Sequence, residues 1–283
     1  MNPTMVAVQA GLRRGVIEIR QTLTNGPELS NYLFFPVITL IVMVFLRGVS
    51  VPGSNFSLSS VTMPSVLGMQ IAFGGLIGIA VALITEREDG TLLRAKAIPN
   101  GMLGYLIGKV LQFSGMSLIS LAIILIPSAF LFDGLRLLSP GAWLTLAWVL
   151  VLGLVATMPV GAIFGSLFSN PSYLGLVMLP FMGLTAISGI FYPITSFPIW
   201  LQWVAQVFPI YWLGLGMRSA LLPASLVSVE IGDSWRHLEI LGVLGVWAVI
   251  GLVLAPMVLR RMARRESGSS VAERREKAMQ RVH

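Results

Sequence analysis

The sequence contains no cysteine and only two histidines, His237 and His283. Without thiols there can be no disulfide framework and no thiolate metal site. Two imidazoles so far apart also cannot build a site that needs several. Charge is equally scarce: 11% of the 283 residues are Asp, Glu, Lys or Arg, against about 25% in an ordinary soluble domain. What remains is apolar, with 55% hydrophobic residues and a mean hydropathy of +0.85. Such a chain cannot cover itself with polar groups, so lipid rather than water is its expected solvent. The net charge of +7 does not form a nucleic-acid footprint, because the basic residues sit between long apolar runs. No cleavable signal peptide is expected, since Arg13, Arg14 and Arg20 interrupt the only stretch that could serve as one.

Crossing the hydrocarbon takes roughly 20 mainly apolar residues. Six candidates lie near 31–47, 65–85, 103–131, 141–168, 173–191 and 237–259. Inside lipid every backbone polar group must be paired locally, so each is expected to be a helix. Pro127, Pro159 and Pro180 fall in or near the third, fourth and fifth and are expected to kink them. With the N-terminus placed inside, 15 of the 19 Lys and Arg residues face the cytoplasm. The other four, Arg47, Arg136, Arg218 and Arg236, face outward. This asymmetry predicts cytoplasmic termini and an even number of spans. The fold class is therefore an all-α integral membrane protein with three parts. Residues 1–30 form a cytoplasmic interface helix, 31–259 a six-span domain and 260–283 a basic cytoplasmic tail. The tail reads as a stop signal attracted to anionic lipid.

The first part carries an apolar stripe of Met5, Val8, Leu12, Val16, Ile19 and Leu23 at helical spacing. Arg14, Glu18 and Gln21 lie opposite it, and Arg13 and Arg20 flank it. Such a helix is expected to lie flat on the inner membrane surface. It is either a plain anchor or an interface for a partner.

Several chemistries lack their residues. No Asp or Glu falls well inside a span, which disfavours proton- or ion-coupled transport. Neither a paired carboxylate nor an H-E-x-x-H motif is present, which disfavours a membrane hydrolase. "GYLIGKV" at 104–110 ends in Gly-Lys but is not a phosphate-binding loop. Leu103 stands where the first glycine belongs, and Val110 where Ser or Thr should follow Lys109. This chain is therefore not expected to bind ATP itself.

Charge returns abruptly in "EREDGTLLRAKAIP" at 86–99, between the second and third spans. Glu86, Arg87, Glu88 and Asp89 lead into a turn at Gly90, then Thr91, Leu92 and Arg94 begin a short helix before Pro99. A cytoplasmic loop of this design either touches a soluble partner or is merely solvated. A second unusual stretch, 188–221, holds Pro193, Pro198 and Pro209 and eight aromatics, among them Phe191, Tyr192, Trp200 and Trp203. It reads as an interfacial aromatic belt or as an outer gate packed partly within the membrane.

The E-R-E-D-G-T-L run, the A-I-P at 97–99 and the G-K-V at 108–110 resemble the cytoplasmic loop of ABC type-2 permeases. "SGIFYPITSFPIWLQWVAQVFPIYWLGLGMRSAL" at 188–221 resembles the same family's outer hydrophobic segment. Daunorubicin-resistance-type drug and lipid exporters are the subgroup it is most similar to. The resemblance implies that residues 86–102 couple to a separate ABC ATP-binding subunit, and that Arg13, Arg14, Glu18 and Arg20 belong to an interface helix. It further implies a re-entrant 188–221 forming an outer gate, and a second copy or a related permease completing the pathway. No cofactor would be bound by this chain, ATP and Mg residing on the partner. Substrate would be hydrophobic or amphipathic (a drug, lipid or lipid-linked compound), moved across a bacterial plasma membrane. The rival classes are a membrane scaffold without nucleotide dependence and a secondary transporter.

Overall fold

The structure is a computed structural model that describes residues 2–49, 57–132, 134–168 and 173–265. Helix α1 spans Pro3–Thr24, started by Pro3 and by Asn2, whose side chain accepts from the Thr4 amide. After one residue, Asn25, the chain enters α2 (Gly26–Phe45). The second span is compound: α3 (Leu58–Phe73) passes through a π-helical turn, Gly74–Gly78, into α4 (Ile79–Glu88). It begins earlier than the sequence suggested. Ser57 caps its first turn by accepting from the Ser60 amide, and Pro64 lies within the helix rather than before it.

A short α5 (Thr91–Lys96) follows, then the long α6 (Gly101–Leu131) and α7 (Pro140–Leu167). Next come α8 (Leu174–Ile187), α9 (Ile199–Val207), α10 (Pro209–Leu221) and α11 (His237–Arg265). Among the described residues, five helical stretches are long and apolar enough to cross a membrane: Gly26–Gly48, Leu58–Glu88, Gly101–Leu131, Pro140–Leu167 and His237–Arg264. The fifth predicted span corresponds to α8, whose 14 residues extend only about 21 Å. The chain is thus an all-α membrane protein, with five long apolar helices and one shorter one among the described residues. Most of the basic tail lies outside the described residues.

Small residues set how closely these helices pack. On α1 the buried positions are Ala7, Gly11, Gly15 and Thr22, and they face α6. A Cβ at Gly11 would lie 2.5 Å from the Gly104 carbonyl oxygen, and one at Gly104 would lie 2.9 Å from that of Ala7. Gly104 and Gly108, one of four G-x-x-x-G pairs in the sequence, therefore serve contact inside the chain, as does the facing pair Gly11 and Gly15. Gly161 and Gly165 act likewise: a Cβ at Gly161 would come 2.4 Å from the Gly75 carbonyl oxygen in the π turn.

The apolar stripe of α1 is left facing outward, with Met5, Leu12 and Val16 exposed. It is the small-residue side, not the apolar stripe, that the rest of the protein covers. Helix α10 is the opposite case, with every residue from Pro209 to Leu221 buried. It runs beside α3 and α7, where a Cβ at Gly68 would meet the Leu213 backbone at 2.6 Å.

Gly104→Leu is expected to overpack the α1–α6 contact at a cost of about 1–3 kcal/mol. Its signature is a lowered melting temperature in detergent with faster proteolysis of α1 than of the rest of the chain.

Candidate functional site

Four charged residues from three helices meet where α1, α4 and α6 converge. Lys109 of α6 is 6% exposed. Its Nζ lies 2.9 Å from Glu18 Oε2 on α1 and donates to Gln112 Oε1 at 3.0 Å. It also pairs with Glu86 at the end of α4. Arg14 Nε donates to Glu18 Oε1 at 2.6 Å, and its Nη2 stands 3.7 Å from Glu86 Oε2. The Arg14 guanidinium also lies 4.9 Å from the centre of the Tyr105 ring, within cation–π range. Two cations and two anions balance. The balance is what makes a lysine tolerable inside an apolar helix, because an unpaired buried charge costs several kcal/mol.

Arg87, the next residue, points the other way. It is buried, and its Nη1 donates to the Ser166 and Phe168 carbonyls at 3.1 and 3.0 Å. These are acceptors that the end of α7 leaves without helical partners. Glu86 and Arg87 thus bind the end of the second span to α1, α6 and α7 at once. Glu88 is half-buried and Asp89 exposed.

Asp89 Oδ1 accepts from the Thr91 amide at 2.7 Å and Gly90 takes φ 77°, a left-handed conformation that glycine adopts without strain. Together they reverse the chain into α5. That helix packs inward through Leu92 and Ala95 and turns Arg94 and Lys96 outward. Arg94 Nη2 donates to Thr91 Oγ1. Ile98, just beyond α5, is 63% exposed. The predicted coupling residues therefore divide. Glu86, Arg87 and Leu92 face the bundle, while Asp89, Arg94, Lys96 and Ile98 form an outer surface. The interface-helix residues divide likewise: Arg13 and Arg20 are exposed, whereas Arg14 and Glu18 turn into the cluster.

A second charged centre lies at the opposite end. Arg218, on α10, is 3% exposed. Its Nε and Nη2 donate to Glu230 Oε1 and Oε2 at 2.6 and 3.1 Å, a two-point pair. Its Nη1 donates to Ser65 Oγ on α3 at 2.8 Å and to the Gly189 carbonyl at 3.0 Å. The charge count placed it on the outer side; in the structure it joins α3, α10, the turn after α8 and the Glu230 loop. The residues expected to form an outer gate differ in exposure. Phe191, Tyr192, Pro198, Trp200 and Trp203 are exposed, Pro193 is half-buried, and Pro209 is buried at the start of α10. Trp203 shows 68% of its surface. By contrast Trp212 is anchored, donating to the Gln206 carbonyl at 2.7 Å beneath the Arg236 guanidinium.

Lys109 and Arg218 are the buried charges whose partners the sequence reading did not name. Each is a lone charge in an apolar run, and such a charge calls for a named partner. For Lys109 the acids on α1 and before Gly90 were available.

The model for the ABC-2 family transporter proteins matches residues 28–256, most of the chain, so the protein belongs to that family and is a permease component of an ABC transporter. No curated protein matches the chain.

Lys109→Met would leave Glu18 and Glu86 to share Arg14 and is expected to cost up to about 3–5 kcal/mol. The exchange Glu86→Lys with Lys109→Glu should recover part of the lost melting temperature, whereas Glu86→Lys alone should not.

Proposed function

We propose that this chain is half of an ATP-driven exporter, paired with a second copy or a related permease and served by two separate ATP-binding subunits. Family membership implies an ABC ATP-binding partner in general. The observation that carries the finer reading is the exposed α5 surface, with Arg94, Lys96 and Ile98 turned outward, braced from behind by Leu92 and the Glu86 pairings. A segment so anchored transmits force: a push on α5 must move α4, and with it α1 and α6 through Lys109 and Glu18. Closure of the ATP-binding subunits would then tilt the spans as rigid bodies and change which side the pathway faces.

Hydrolysis, with its ATP and Mg, belongs to the partner in this reading. Its setting is a bacterial plasma membrane with both termini cytoplasmic, as the distribution of Lys and Arg favours. The cargo is hydrophobic or amphipathic, in keeping with the scarcity of charge within the spans. Phe191, Tyr192, Trp200 and Trp203 form the outer, lipid-facing exit.

Purification in mild detergent, followed by mass spectrometry and an ATPase assay, tests the reading. An ABC ATP-binding subunit should co-purify, and Arg94→Glu combined with Ile98→Asp should release it. Both positions are exposed, so stability should change by no more than about 0.5 kcal/mol per site. Recovery of the chain with a non-ATPase partner, and no ATPase activity in several detergents, would favour a scaffold instead.

A further inference from the structure

We propose that the π turn at Gly74–Gly78 is the hinge of the second span, about which its inner half moves against its outer half. The second span is held at both charged centres. Near its outer end Ser65 accepts from Arg218 at 2.8 Å. At its inner end Glu86 pairs with Lys109, and Arg87 donates to the Ser166 and Phe168 carbonyls. The π turn falls midway between Ser65 and Glu86, where it divides α3 from α4. A helix fixed at both ends yields between them, and a π turn is one of the few features that bend a helix sharply. Such turns also gather at functional sites.

The neighbours of the turn are broken at the same level. Across from it, α7 carries Pro159 within the helix, which has no amide to donate to the Val155 carbonyl. Thr157 donates its hydroxyl to the Gly153 carbonyl at 2.7 Å, a bond that also tends to bend helices. The two spans meet here through glycine and backbone. A Cβ at Gly75 would overlap Thr157 Oγ1, and one at Gly161 would lie 2.5 Å from the Leu76 carbonyl oxygen. Gly251 of α11 in turn meets Pro159, where a Cβ would lie 2.9 Å from that of the proline. Toward α6, a Cβ at Gly74 would find only Ser117 Oγ, at 3.3 Å. Interdigitated side-chain ridges fix the angle between two helices; a backbone contact without them serves as a fulcrum.

A π turn closes over one residue more than an α turn. Without that residue the second span would be one continuous α-helix with both flanks in their present register, Ser65 still toward Arg218 and Glu86 still toward Lys109. The surplus residue is therefore not needed to reach the two centres; what it supplies is a place to bend. On this division α4, α1 and α6 form the inner body. The outer body is α3, α10, the Glu230 loop and the loop before α7, whose Arg136 amide donates to the Leu221 carbonyl at 2.8 Å. The angle at Gly74–Gly78 sets how one body stands to the other.

The hinge rests on the permease reading only for what would drive it. Its test needs neither nucleotide nor partner, so the two can fail separately. Because the chain has no cysteine, spin labels attach only where one is introduced. Full-length protein, labelled at exposed positions and diluted with unlabelled chain in lipid nanodiscs, is read by pulsed dipolar spectroscopy. Thr85→Cys with Ser225→Cys spans the hinge. Gln9→Cys with Thr85→Cys lies within the inner body, and Leu138→Cys with Ser225→Cys within the outer one. The spanning pair should give a distance distribution clearly broader than either control. Deletion of Leu76 should sharpen it to the width of the controls and leave the melting temperature in place. Gly74→Ala, which favours regular helix, should sharpen it in part. A spanning pair as sharp as the controls, a breadth that survives the deletion, or a deletion that unfolds the protein would overturn the proposal.

Discussion

Lys109 is the constraint from which the inner half of the molecule follows. An ammonium buried in an apolar helix must be paired, and α6 offers it no acid. Glu18 comes from α1 and Glu86 from the end of α4, so meeting the demand fixes the interface helix and the second span against the third. Arg14 then balances the second acid. With those helices fixed, Arg87 can reach the end of α7, and Gly90 can launch α5 from a defined place. A loop that looks in sequence like a run of solvated charges is therefore a joint, with Arg94 and Ile98 exposed on its outer side.

The joint depends on close approach. Long side chains at Gly11, Gly15, Gly104 or Gly108 would hold α1 away from α6 and pull Glu18 out of reach of Lys109. The same logic recurs at the other end, where Arg218 draws α10, α3 and the Glu230 loop together and Gly68 admits Leu213. Between the two charged centres the small residues Gly75 and Gly161 keep the second and fourth spans in close contact, while α2 and α8 turn large apolar side chains outward.

Much of this was legible in the sequence. The order of the apolar helices, the amphipathic N-terminal helix, the charged loop and the aromatic segment were readable from hydropathy, Lys and Arg placement and proline spacing, whereas the fifth expected span corresponds to the shorter α8. What the pattern misassigned was direction. Arg14 and Glu18 read as the water-facing side of α1, yet they turn inward, because Ala7, Gly11 and Gly15 on the same side let α6 come close. Residues 188–221 read as one segment, but α9 is largely exposed while α10 is wholly buried. The π turn left no mark beyond clustered glycines. Periodicity identifies faces; which face meets protein and which meets lipid is decided by neighbours distant in sequence.

The joint is probed most directly by a double-mutant cycle on Lys109→Met and Glu86→Leu, read as melting temperature in detergent. Each change alone should lower it, because each leaves a buried charge of the cluster without its balance. The double variant, which removes the pair together, should lose clearly less than the sum of the two. Additive losses would contradict a joint built on Lys109.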